Sequence, residues 1–320
     1  MRKSMTIVAV AVLVLACVSG AQADTFDAGG PNEFTIDFVP ISGDAGDLGS
    51  WPAAGGGYTF TGVNRDDYRM GTFEITNDQW TKFSVSLGVP VTGSWSIAYD
   101  QGPYFTGTNV PTNNVSWYEA AQFVNWLNTS TGHQAAYKFT GTQGTSGYSL
   151  GVWESGDDGY DADNPYRNSN AHYYMPTEDE WVKAAYWNGT SLQTYSNASP
   201  GDLVSGSPDP AKWNYAAGNE PWNVGSGSEE LNGTFDMMGN VWEWMESPFS
   251  DPDYGTDSAR GMRGGSYGDP GALLASSGRL GHYPYGEAFD IGLRVASEVP
   301  EPCTLGLLSL GALMLFKRRR

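Results

Sequence analysis

The amino-acid sequence predicts one α+β domain that is rich in loops, and three observations lead there. Glycine supplies 42 of the 320 residues, beside twelve Trp and eighteen Tyr, a composition of many turns and aromatic packing with little regular structure. Two stretches open with a capping box and continue with an apolar face at helical spacing. From Phe34 to Val39 apolar and polar residues alternate with period two, the pattern of a half-buried strand. With 40% hydrophobic residues a chain of this length buries a sizeable core, which excludes disorder of the whole.

The two ends stand apart from the domain. Arg2 and Lys3 precede the apolar run Ile7 to Val18, and Ala21-Gln22-Ala23 supplies a small-residue cleavage pattern, so residues 1–23 read as a secretory signal peptide and Asp24 as the first mature residue. Residues 298–320 contain Val299-Pro300-Glu301-Pro302, an apolar stretch from Cys303 to Phe316, and Lys317-Arg318-Arg319-Arg320. That order resembles the PEP-CTERM sorting signal. The resemblance implies a short transmembrane segment before processing and an exosortase-type sorting machinery as partner. The expected location is outside the cytoplasm, held at the inner membrane and then in the cell envelope, on the cell surface or in the extracellular matrix.

Between them, residues 24–297 form the expected domain. Setting aside Arg2, Lys3, Lys317 to Arg320, Glu298 and Glu301 leaves 34 acidic and 11 basic residues, a net charge of −23. Such a surface repels phosphate backbones and excludes nucleic acid as a partner. The cysteines, Cys17 and Cys303, both lie in the terminal segments. The domain therefore has no disulfide, zinc–thiolate site or cysteine nucleophile.

The elements follow in order. Tyr68 to Thr76 reads as a strand ending in the caps Thr76 and Asn77, which open a helix through Leu87 with Trp80 and Phe83 inward. Ser116 with Glu119 makes a capping box, each side chain satisfying a backbone donor of the other, ahead of Trp117, Ala120, Ala121, Val124 and Leu127 on one face. Gln143 to Asn170 is rich in Gly and Asp and reads as an inserted surface loop. Its Asp157 to Asn164 lacks the glycine and glutamate that a calcium loop requires. Thr177 with Glu180 repeats the capping box before Trp181, Ala184, Ala185 and Trp187.

Five stretches carry a resemblance: Tyr68 to Asn77, Asn114 to Leu127, Met175 to Trp181, TFDMMGNVWEW from Thr234 to Trp244, and Arg260 to Arg294 with its Gly264-Gly265-Ser266-Tyr267 turn. Together they resemble the sulfatase-modifying factor family, whose type member is the formylglycine-generating enzyme. The resemblance implies a C-type-lectin-like α+β fold, loop-rich, with small antiparallel sheets and two helices. It implies structural calcium held by Asp236, the carbonyls of Gly239 and Val241, and Glu243, all hard oxygen donors. A second calcium region near Asn214 and Tyr215 is left unassigned.

In the enzymes of this family two cysteines hold copper for the oxidation of a substrate cysteine to formylglycine. Their positions here fall on Asp269 and Leu274, which cannot replace soft thiolates for Cu(I), so copper is not expected. A branch that makes sulfoxides uses iron on three histidines in a separate helical domain, whereas His133, His172 and His282 are scattered along this chain. Arg263, Arg279 and Arg294 occupy family arginine positions. Arg294 is expected to pair inside the fold, and Arg279, Ser266 and Tyr267 to line a ligand cleft. The reading that follows is a non-catalytic binding or structural protein with a glycan, peptide or exopolysaccharide ligand. The alternative is an oxidoreductase of the formylglycine-generating type acting in sulfatase maturation, or another enzyme using the same cleft.

Overall fold

The computed structural model describes residues 21–45, 67–87, 103–142, 147–197, 203–216, 218–250 and 252–300. Residues 1–20 of the expected signal peptide and residues 301–320 of the expected sorting segment lie outside the described residues. Among those described, no helix is long and apolar enough to cross a membrane.

In chain order the elements are β1 (Gln22–Phe26), β2 (Phe34–Ile41), β3 (Tyr68–Gly71), α1 (Asn77–Leu87), α2 (Trp117–Ser130), β4 (Phe139–Thr140), β5 (Ser149–Leu150), β6 (Tyr173–Tyr174), α3 (Glu178–Tyr186), β7 (Trp242–Pro248), β8 (Arg260–Arg263), a 3-10 turn at Gly271–Leu274, β9 (Leu280–His282), β10 (Ile291–Gly292) and β11 (Ala296–Glu298). Both capping boxes form: Ser116 and Glu119 exchange side-chain and backbone bonds ahead of α2, and Thr177 and Glu180 do so ahead of α3. Trp80 and Phe83 of α1 are buried, as their spacing requires.

A five-stranded sheet in the order β1-β2-β3-β11-β6 is antiparallel throughout. Period two decides which core each residue enters. Phe34, Ile36 and Phe38 face an aromatic core with Phe83, Phe123 and Trp117. Val39 and Ile41 of the same strand join a second core with Met70, Trp181 and Leu274. The sheet is thus buried on both faces at its centre, between α1 and α2 on one side and α3 on the other. β10-β7-β8-β9 forms a second sheet, antiparallel except where β10 runs parallel to β7. The start of α2 is tied to the second sheet by an exchange of indole bonds: Trp117 Nε1 donates to the Met245 carbonyl at 2.9 Å, and Trp244 Nε1 to the Val115 carbonyl at 2.8 Å.

Two sequence expectations are revised. The strand expected to run to Thr76 ends at Gly71, because the Gly71 and Ile75 amides turn to the Val295 and Leu293 carbonyls. The expected surface loop, Gln143 to Asn170, is exposed at Gly156, Asp158 and Tyr160 but anchored at its end. Tyr166 is 1% exposed and Asn168 1% exposed, and Tyr166 Oη donates to the Gly255 carbonyl at 2.8 Å. Composition flagged the acidic half of this segment and hid the aromatic anchor.

Candidate functional site

Strand β8 ends at Arg263, and the chain then reverses through Gly264 (φ +98°) and Gly265 (φ +76°). Both lie in the left-handed region that glycine adopts freely. A Cβ on Gly265 would stand 2.7 Å from Leu274 Cδ1, and one on Gly264 3.2 Å from the Met237 carbonyl oxygen. The two glycines let the turn sit directly on the core. Asp269 closes it: Oδ2 accepts from the Ser266 amide at 2.9 Å and the Ser266 hydroxyl at 2.7 Å. Leu274 is fully buried in the second core, and its carbonyl accepts the Tyr186 hydroxyl at 2.8 Å. The two positions that carry thiolates in the family's enzymes are therefore a turn cap and a core side chain.

The arginines are structural. Glu178, at the start of α3, takes Arg263 Nε at 2.7 Å and Arg279 Nε at 2.7 and 2.8 Å. Arg279 is 1% exposed and also donates to the Phe249 and Pro248 carbonyls. It does not line a cleft, contrary to the expectation from sequence, because its positive charge is spent inside on Glu178.

Arg294 reaches the Gly71 and Phe235 carbonyls at 2.8 and 2.7 Å and pairs with Glu243 at 2.8 to 3.1 Å. Trp181 Nε1 adds a bond to Glu243 Oε2 at 2.6 Å. Three further buried carboxylates surround this pair: Glu74, Glu230 and Asp236. Burial pushes Glu230 up to about 8 and Asp236 up to about 6. Burial also raises Glu74 well above the carboxylate range, aided by Asp236 and Glu243.

Calcium was expected at Asp236, Gly239, Val241 and Glu243. Three N–H groups, Nε and Nη2 of Arg294 and Nε1 of Trp181, bond the Glu243 carboxylate. Asp236 Oδ2 is held by the Gly225 amide at 2.7 Å. Glu243 is thus held by Arg294 and Trp181, and no role below depends on calcium.

Sequence reasoning missed Asn240, the hub of this region. Its φ of +63° is tolerated by Asn better than by most residues, and its amide joins three segments. Oδ1 accepts from the Trp222 amide at 2.7 Å and from Asn214 Nδ2 at 3.0 Å, while Nδ2 donates to Glu74 at 2.6 Å. A Gly-Asn pair before a strand was the available signal. The histidines were read as scattered, yet His133 and His172 stack at 4.6 Å. His282 lies apart, near Trp244.

Beside the turn opens a cleft of about 630 Å³, walled by Tyr104–Thr106 and Val110, by Gly206–Pro208, and by Gly218–Asn223. Tyr267 underlies it, edge-on to Phe105 at 5.5 Å, with its Cβ 3.1 Å from the point where a Cβ on Gly218 would sit. Of the three residues expected to line a cleft, Tyr267 borders this one, Ser266 is held in the turn behind it and Arg279 is elsewhere.

The turn, the paired sheets and the capped helices define a C-type-lectin-like fold of the formylglycine-generating-enzyme kind. Residues 44–299 match the sulfatase-modifying factor enzyme 1-like domain, and the chain belongs to that family. Strands β1 and β2 precede the matched segment and complete its first sheet. The chain is similar to the chaperone protein LppX of Paenibacillus barcinonensis, 24% identical over 80% of this chain and 86% of that protein. A hercynine oxygenase of Mycobacterium tuberculosis is 31% identical over 39% of this chain and 32% of its own length. Among solved structures, Treponema denticola variable protein 1 superposes with a TM-score of 0.58 at 20% identity, over 87% of this chain and 99% of that one.

Proposed function

We propose that this protein is a non-catalytic, exported member of its family, working as a binding or structural domain in the cell envelope. The observation that carries the reading is the chemistry at Asp269 and Leu274. A carboxylate bonded to its own turn and an aliphatic side chain in the core offer no soft ligand for Cu(I), and no cysteine lies between Asp24 and Ser297 to stand in for either. The relative named as a chaperone, matched over most of both chains, supports binding over redox chemistry. Export rests on residues 1–23, and envelope sorting on the Pro-Glu-Pro, apolar and basic parts of residues 298–320. The cleft beside Tyr267 is the surface assigned to the ligand.

The test is incubation of the full chain with copper, oxygen and a sulfatase-derived cysteine peptide, followed by mass spectrometry. Unchanged peptide is expected. Copper-dependent conversion to formylglycine would return the protein to the oxidoreductases.

A further inference from the structure

The dipeptide Asn-Gly occurs twice in this chain, at Asn188-Gly189 and Asn232-Gly233, and the fold treats the two differently. An asparagine followed by glycine is open to attack on its side-chain carbon by the next backbone nitrogen, because glycine has no Cβ to obstruct the approach. Success then depends on the attacking amide, on the carbonyl oxygen that takes up negative charge, and on the amide nitrogen that leaves.

At Asn188 all of these are arranged for reaction. Asn188, Gly189, Thr190 and Ser191 are exposed in the turn that follows α3. A Cβ on Gly189 would meet nothing within 4 Å, and the Gly189 amide has no hydrogen-bond partner among the described residues, so solvent can take its proton. Asn188 Oδ1 accepts from the Thr190 amide at 3.0 Å, the Thr190 hydroxyl at 3.0 Å and the Ser191 amide at 2.9 Å. Three donors thus converge on one oxygen, the arrangement that stabilises an oxyanion as it forms. Each bond strengthens once that oxygen carries charge. The leaving nitrogen, Nδ2, has no hydrogen-bond partner among the described residues.

At Asn232 the same dipeptide is locked. The Gly233 amide donates to the Glu230 carbonyl at 3.0 Å, and Asn232 Nδ2 donates to the Ala184 and Trp187 carbonyls at 2.7 and 3.0 Å. Nucleophile and leaving group are both bonded, and the side chain cannot turn without uncapping the end of α3.

We infer that Asn188 is a self-modifying site, which deamidates in the folded protein with the Thr190-Ser191 turn as its oxyanion hole. The Gly189 nitrogen loses its proton to hydroxide and bonds to Asn188 Cγ. The bond from Cγ to Nδ2 then breaks, and Nδ2 leaves as ammonia with a proton taken from water. A cyclic succinimide remains. Water opens it at Cγ to give aspartate, or at the backbone carbonyl to give isoaspartate, in which the chain runs through Cγ. No oxidant or reductant enters. The products act on α3, whose C-cap is Trp187. A carboxylate at 188 sets negative charge at the negative end of the helix dipole. The isoaspartyl link also adds a backbone carbon between the Trp187–Leu192 bridge and the bond from the Asn188 amide to the Ser191 carbonyl, which loosens this hairpin.

The test is incubation of the full chain in mildly alkaline buffer, folded and in urea, followed by peptide mass spectrometry for amide-to-acid conversion. Isoaspartate is read separately by labelling with a carboxyl methyltransferase specific for it. In the folded chain Asn188 should convert while Asn232 stays intact, and in urea the two should convert at similar rates. Thr190→Val removes the hydroxyl donor. In an enclosed enzyme site one such donor is worth about 10²–10³ in rate, and in this exposed turn water competes, so a several-fold slowing is expected in the folded chain and none in urea. An intact Asn188 in the folded chain, equal conversion of Asn188 and Asn232 in the folded chain, or an unchanged folded rate in Thr190→Val would each overturn the inference. The comparison of folded and unfolded chain needs no variant, and none of these outcomes bears on the cleft or on the copper test.

Discussion

The carboxylates around Arg294 are enclosed and bonded, whereas Asp269 and Asp290 near Tyr267 are only half-buried. In the first region three N–H groups of Arg294 and Trp181 bond Glu243, and Glu74 and Glu230 hold backbone amides of the Thr234 to Val241 turn. In the second, Glu220 and the exposed ring of Tyr104 border an open cleft. The difference teaches where family motifs place chemistry in this chain. The motif-bearing residues Glu74, Glu178, Glu243, Arg263, Arg279 and Arg294 build the scaffold, while the surface available to a ligand comes from segments such as Tyr104-Phe105 and Gly218 to Asn223, which match no motif.

Breaking the enclosed side should have the largest effect. Arg294→Met leaves four buried carboxylates without their cation, and removing one partner of a buried pair costs roughly 3–5 kcal/mol. Chemical denaturation should show a loss of that size or failure to fold, and a loss below about 1 kcal/mol would place the pair among exposed ones. Glu178→Gln uncouples two buried arginines at once and should cost on the order of 3 kcal/mol by the same argument.

A pH titration sharpens the comparison. Glu230 holds its proton up to about 8 in the folded chain against an ordinary value of 4.5. The folded state therefore binds more protons between those values, and stability is complete below about 4.5 and falls as pH rises toward 8. Melting temperature should drop by several degrees from pH 5 to pH 8, with a smaller drop in Glu230→Gln. Equal slopes in the two proteins would remove Glu230 as the source.

The smaller effects lie at the edges of each region. Melting curves with calcium and with a chelator should coincide, because Glu243 is spent on Arg294 and Trp181. A rise on adding calcium, lost in Glu243→Gln, would show that the ion displaces the arginine. Asp269→Ala removes a cap from the Ser266 turn and should cost about 1 kcal/mol by denaturation, with no change in the oxidation assay.

Much of the frame was legible in the sequence because its causes are local. A capping box acts over four residues, and the alternation in β2 acts over two, so Ser116, Thr177 and Phe34 to Phe38 announced themselves. Arg294 as a buried pair was legible from its setting in an otherwise acidic chain. The cleft was not, since Tyr104, Gly218 and Tyr267 meet only through the tertiary fold and share no period. Arg279 misled for the same reason: only the packing of α3 against β7 and β8 brings Glu178 to it. Calcium was implied by the family resemblance, and a resemblance does not reveal that an arginine fifty-one positions away bonds the glutamate.

The exchange of indole bonds between Val115–Trp117 and Trp244–Met245 couples segments separated by 128 and 129 positions. Neither bond survives unless the entry to α2 and the middle of β7 are both in place. The two segments should accordingly open as one cooperative unit in native-state hydrogen exchange. Closing so long a loop before any reward is received also makes this contact slow to form. The chain would then refold at a pace set by this late closure, and the part of the fluorescence change lost in Trp244→Phe would report that step.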